Sequence, residues 1–193
     1  ATEGIDVRLL VARRLDELGV LLLPDRRGLL QVGLGGLAVE LVLHELLVEL
    51  RLLGPLQSNK ARDAVALFDV IETVDRPKIA RTLAQAMEKL GRSPELLVQV
   101  NTGEEPQKSG IAPREADAFI QAIRTEFGLS PVGVMCIPPA DEPAGPHFAL
   151  LRKIADRNGL AQISAGMSND FEEALDFNPT YMRLGTVLFG KRL

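Results

Sequence analysis

Two short segments near the carboxyl end carry residue types suited to holding a phosphate. They are Ser164-Ala165-Gly166-Met167-Ser168-Asn169-Asp170 and, soon after, Arg183-Leu184-Gly185-Thr186-Val187-Leu188-Phe189-Gly190. Each is an apolar run that ends in small residues and a hydroxyl. Small residues let backbone N–H groups approach an anion, and the Ser168 and Thr186 hydroxyls add donors. A helix starting just beyond contributes its positive end. Arg183 stands two residues before Gly185, so both face the same side of an extended strand and a guanidinium would project beside the ligand. A plainer role suits the same residues: Arg183 as a buried ion-pair partner, with glycines that serve tight turns.

Three upstream segments have the same build. Gly54-Pro55-Leu56-Gln57-Ser58-Asn59-Lys60 follows an apolar run with a turn and polar side chains. Asn101-Thr102-Gly103 leads into Glu104-Glu105-Pro106-Gln107-Lys108-Ser109-Gly110, and Cys136-Ile137-Pro138-Pro139 stiffens a third run's end. Each alone reads as an ordinary polar loop; together they suggest loops converging on one rim. Other reactive residue types lack partners. His44 and His147 are far apart, without metal-ligand spacing, and read as surface or helix-packing histidines. Cys136 lies in an apolar run and reads as a small core residue. Glu104-Glu105 and Glu172-Glu173 read as solvated faces. Neither a dinucleotide fingerprint nor a Walker-type loop occurs.

These segments need elements to position them. From residue 51 the chain alternates apolar runs with helical patterns. The runs are Arg51–Leu56, Asp69–Val74, Leu96–Asn101, Val132–Ile137, Gln162–Met167 and Tyr181–Thr186. They are nearly all apolar, as strands covered on both faces must be. Asp75 could cap a helix with Pro77 in its first turn, an apolar face of Ile79, Leu83, Ala86, Met87 and Leu90, and Gly91 as its stop. Further helices are expected from Pro113 to Gly128, from Pro146 to Asn158 and over Phe171–Leu175. Strands near Val7–Ala12 and Leu29–Gly33 would bring the count to eight. The expected fold is therefore α/β, a (β/α)8 barrel in a single domain over residues 1–193, with a doubly wound sheet as the alternative.

Composition narrows the classes. The 193 residues carry a net charge of −4, which leaves no basic footprint for nucleic acid. One cysteine excludes an internal disulfide framework. Leu41–Leu53 is interrupted by His44, Glu45, Glu49 and Arg51, against a membrane span. The amino end shows no signal-peptide pattern, so a cytoplasmic location is expected. The first 53 residues differ in texture: 18 are leucine, and no serine precedes Ser58, no lysine Lys60 and no phenylalanine Phe68.

In order, Leu53–Lys60, Leu97–Asn101, Gly133–Pro139, Gly166–Asp170 and Arg183–Gly190 resemble the pyridoxal 5′-phosphate homeostasis proteins, single-domain relatives of the alanine racemase barrel. The resemblance implies a monomeric (β/α)8-type barrel with pyridoxal phosphate at the strand C-termini. Carried over, Met167, Ser168, Gly185 and Thr186 would hold the phosphate, and Arg183 would face the pyridine nitrogen. A cation there disfavours protonation of that nitrogen and weakens the ring as an electron sink. The implied role is storage and delivery of the cofactor, with PLP-dependent apo-enzymes as recipients and no turnover of its own.

The resemblance breaks in the first quarter. Family members end their first strand in a Val-Ser-Lys-Thr-like motif whose lysine is the Schiff-base residue. Here that stretch reads Leu10-Val11-Ala12-Arg13-Arg14-Leu15-Asp16, with Leu15 nearest the lysine position. The family's Phe-Gly-Glu-Asn-like segment falls near Val32-Gly33-Leu34-Gly35-Gly36, without the Glu or Asn. Arginine cannot substitute, because its guanidinium stays protonated. Two other classes stay open: a racemase or decarboxylase using the same cofactor, which would need that lysine and a second acid/base, and a barrel that binds another phosphorylated small molecule.

Overall fold

The computed structural model describes residues 20–21, 31–34, 37–39 and 49–190, and the chain divides into two compact units, 1–48 and 49–193. In the first, β1 (Val20–Leu21), β2 (Gln31–Leu34) and β3 (Leu37–Val39) form an antiparallel sheet in that order. The strand expected near Leu29–Gly33 therefore exists, but its partners run antiparallel, which a βα unit does not allow. The strand expected at Val7–Ala12 lies outside the described residues, as does His44.

The second unit is built on β4 (Arg51–Leu52), β5 (Val70–Val74), β6 (Glu95–Val100), β7 (Gly133–Cys136), β8 (Gln162–Met167) and β9 (Tyr181–Arg183). All neighbours are parallel, and the spatial order is the sequence order. A doubly wound sheet reverses direction at a switch point. This sheet has none, so that alternative is set aside and the arrangement is a parallel half-barrel.

Helices α1 (Ala61–Leu67), α2 (Pro77–Leu90), α3 (Ala116–Thr125), α4 (Ala144–Arg157), α5 (Phe171–Leu175) and α6 (Thr186–Phe189) follow the strands, with a 3-10 turn at Ser58–Lys60. In α2, Ile79, Ala80, Leu83 and Ala86 recur at helical spacing and are buried. Pro77 opens the helix, and Gly91, at φ 59°, closes it in the left-handed conformation. The cap differs from expectation. Arg76 occupies the position without a capping bond from its side chain, and the Asp75 carboxylate is turned to the Arg76 guanidinium at 2.5 Å.

Strand alternation sorts the side chains onto two faces. Leu96, Val98, Val100, Val134, Cys136, Ile163 and Ala165 share one core with Leu83, Ile120, Ile123, Phe148, Leu151 and Ile154 of the helices. Cys136 is thus the core residue its surroundings suggested. The opposite, concave face holds a small separate cluster of Val70, Leu97 and Met135. Toward the strand ends that face becomes polar, with Glu72, Gln99 and Ser164 all buried.

Candidate functional site

The ends of β8 and β9 meet as their sequences suggested. Met167 and Arg183 are register partners on adjacent strands. One residue on, the Ser168 hydroxyl accepts the Val187 N–H at 3.3 Å, which ties the loop after β8 to the first turn of α6. Gly185 precedes that turn, and open space lies where its Cβ would be. Ser168 is half-buried, and Gly185 and Thr186 are exposed. The structure thus brings together all five expected residues, Met167, Ser168, Arg183, Gly185 and Thr186. The Met167 amide is already committed: it donates to the Asp170 carboxylate at 2.5 Å and shapes the turn.

Arg183 is fixed from β8, its neighbour, and from β7 beyond it. Its Nη1 donates to Ser164 Oγ at 2.7 Å and its Nη2 to the Cys136 carbonyl at 2.8 Å. Burial lowers its pKa, and the Glu72 carboxylate works against that. Glu72 in turn accepts from Arg51 Nε at 2.6 Å, and the Arg51 guanidinium lies 3.6 Å from the centroid of the Tyr181 ring. Burial acts to lower the Arg51 pKa as well, but the bond and charge of Glu72, together with bonds to Tyr181 and Glu49, outweigh it and leave it raised. Two guanidiniums and one buried carboxylate therefore share the concave face. Arg51 Nη2 and Glu72 Oε2 are buried there without a hydrogen-bond partner.

The upstream loops reach the same rim. Asn101 donates to the Glu105 carbonyl at 2.8 Å and accepts the Glu105 N–H at 3.2 Å, folding its loop back on itself. Lys108 pairs with the Glu105 carboxylate at 2.5 Å and donates to the Pro138 carbonyl at 3.3 Å, binding the loops after β6 and β7 together. Arg76 donates to the Leu56 carbonyl at 2.8 Å and does the same for the loops after β4 and β5.

Glu105 is therefore an ion-pair partner and not a solvated carboxylate. Glu173 is exposed as expected, yet it accepts the Gly145 N–H at 2.7 Å at the start of α4. His147 is buried against the Glu142 carboxylate at 3.0 Å, a helix-packing histidine. A groove of about 780 Å³ between α2 and residues 126–129 opens toward the other end of the strands, away from this rim. Among the described residues no cluster of His, Cys, Asp or Glu could hold a metal, and no helix is long and apolar enough to cross a membrane.

Sequence reasoning missed Arg51, Glu72, Ser164 and Asp170 as parts of the site. Glu72 left a signal, a carboxylate inside the otherwise apolar run Val70–Val74. The hydroxyl of Ser164 left none, since nothing local says that a residue 19 positions away will use it.

A family model for the N-terminal domain of alanine racemase matches residues 7–192. The chain belongs to the alanine racemase N-terminal domain family. Within that family it is 41% identical over 146 residues to the pyridoxal phosphate homeostasis protein of Pseudomonas aeruginosa, covering 72% of this chain and 63% of that protein. It therefore spans less than two thirds of that relative's length. The pyridoxal phosphate homeostasis protein of Aquifex aeolicus is 31% identical over 159 residues, covering 78% of this chain and 70% of that one. These matches place the chain in the homeostasis-protein branch of the family. PipY of Synechococcus elongatus, solved without and with PLP, superposes with TM-scores of 0.67 and 0.63 at 37% and 34% identity. Each alignment covers 72% of this chain, with 70% and 69% of PipY.

Proposed function

We propose that this chain binds pyridoxal 5′-phosphate at the ends of β8 and β9 and serves to store and deliver it without turning over an amino acid. The observation that carries the reading is the convergence of Ser168, Gly185 and Thr186 beside a guanidinium tied to two further strands. A relative solved with PLP bound supports it. The residues fit the group: open space at Gly185 leaves room for a phosphate, and Arg51 Nη2 and Glu72 Oε2 give the concave face unspent polar atoms.

When bound, the cofactor supplies an aldehyde and a conjugated ring that can accept electrons. The chain's own residues bind and orient it. The Ser168 and Thr186 hydroxyls donate to the phosphate, with the backbone at Met167 and Gly185 lining its cradle. Arg183, locked by Ser164 and Cys136, would present a cation to the pyridine nitrogen and disfavour its protonation. A ring held in that state is a poor electron sink, which suits safe carriage better than catalysis. The same reading makes the six ordered strands an arc of a (β/α)8 barrel in a single domain. It has the protein act in the cytoplasm as a monomer, with PLP-dependent apo-enzymes as recipients.

The test is a titration of the purified protein with PLP, followed by absorbance and native mass spectrometry. Saturable one-to-one binding is expected. Thr186→Val should weaken it about tenfold, the worth of one hydrogen bond to a charged group. Absence of saturable binding, or racemisation of alanine by the protein, would overturn the proposal.

A further inference from the structure

An aldehyde and an alcohol on the same pyridine ring are close in size and equal in charge. A protein that selects the aldehyde does so through what only the aldehyde can do, a covalent link to a primary amine. The question is whether this chain places such an amine at the site.

Among the described residues, none of β4–β9 contains a lysine. The polar side chains of the concave face include Arg51, Glu72, Gln99, Ser164, Tyr181 and Arg183, with Glu95 and Gln162 at the far end of their strands. The two arginines there cannot serve, because a guanidinium remains protonated and does not form the bond. Two lysines stand in the rim loops, Lys108 and Lys60; Lys78 is exposed in the first turn of α2, and Lys191 lies outside the described residues. Lys108 is held by the Glu105 carboxylate at 2.5 Å and the Pro138 carbonyl at 3.3 Å. Lys60 points outward, its side chain 63% exposed, and lies 3.8 Å from Asp63. Upstream, no lysine precedes Lys60 in the sequence, and Leu15 stands where the motif resemblance puts the family's lysine.

The phosphate and ring contacts proposed above call on no amine. We infer that the site takes phosphorylated pyridines as a class, reading the phosphate and ring nitrogen and not distinguishing an aldehyde from an alcohol on that ring. This rests on the proposed binding of pyridoxal phosphate at β8 and β9 and specifies what is recognised there. The protein is then a carrier for the alcohol as well as the aldehyde, and its hold on either is noncovalent and readily reversed.

The experiment compares pyridoxal 5′-phosphate with pyridoxine 5′-phosphate by isothermal titration on the full chain. Borohydride treatment and peptide mass mapping follow on the aldehyde sample. Expected are dissociation constants within about threefold of each other, and no borohydride-fixed pyridoxyl group at the site. Thr186→Val should weaken both ligands by the same factor, while Lys60→Gln leaves both unchanged. Aldehyde binding tighter by about tenfold or more, or a fixed adduct whose loss abolishes aldehyde binding alone, would overturn the inference and leave the proposed function standing. If neither ligand binds, the proposed function fails and the inference falls with it.

Discussion

At the residue scale, the concave face is governed by how three charges share few partners. Glu72 is 1% exposed and is the buried carboxylate that faces both Arg51 and Arg183. Replacing it with glutamine keeps the shape but takes from Arg183 the carboxylate that acts on it most and leaves Arg51 paired only with the exposed Glu49, 2.6 Å away. Breaking a buried pair in this way costs about 3–5 kcal/mol. Ser164→Ala removes one acceptor from Arg183 and leaves the Cys136 carbonyl in place, so the expected loss is smaller, about 1.5–3 kcal/mol for a bond to a charged group. Urea unfolding of the two variants should rank Glu72→Gln as the more damaging. The reverse order would mean that Arg183 is held mainly by hydrogen bonds and not by the field of the carboxylate.

At the scale of elements, two glycines a short distance apart do different work. Gly166, in β8, has φ 89°, and a Cβ there would lie 2.7 Å from Ala174 Cβ and 3.3 Å from Phe171 Cα. Gly166→Ala therefore strains the backbone and pushes α5 off the strand, with an expected loss of about 2 kcal/mol or more in thermal or urea unfolding. Gly185 has φ −104° and open space around the missing Cβ. Gly185→Ala should change stability by less than about 0.5 kcal/mol and still weaken phosphate binding, because its methyl group occupies the cradle. Equal effects of the two on folding would remove the distinction.

The elements themselves were largely legible in the sequence. All six apolar runs from residue 51 became strands, because parallel strands covered on both faces must be nearly all apolar. The runs overreached where local signals changed: Arg51–Leu56 shortened to Arg51–Leu52 ahead of Gly54-Pro55, and Tyr181–Thr186 gave up its end to α6. What could not be read were bonds between distant positions. The Glu173 bond to the start of α4 spans 28 residues and the Arg183 bond to Cys136 spans 47, and no local pattern encodes either.

At the scale of the whole molecule, Cys136 joins the two faces of the sheet. Its side chain lies in the helix-side core, while its carbonyl receives Arg183 on the concave side. Burial raises the thiol from its ordinary 9.0 to about 12, although the Arg183 charge pulls the other way. A group raised on folding binds its proton more tightly in the folded chain. Its contribution to stability is complete below the unfolded value and is lost as pH rises through the folded one. The window runs from about pH 9 to about pH 12. Within it, the wild-type chain should lose about 1.4 kcal/mol per pH unit relative to Cys136→Ala, which lacks the titrating group. Every other titrating group is common to both proteins and cancels in the difference. The cavity left by the shorter side chain adds a constant that does not vary with pH. Urea unfolding of both proteins at pH 8, 9 and 10 reads the slope directly. Parallel stability curves would show that the thiol ionises within the folded core, and that the sheet between the core and the Arg183 face is looser than its hydrogen bonds indicate.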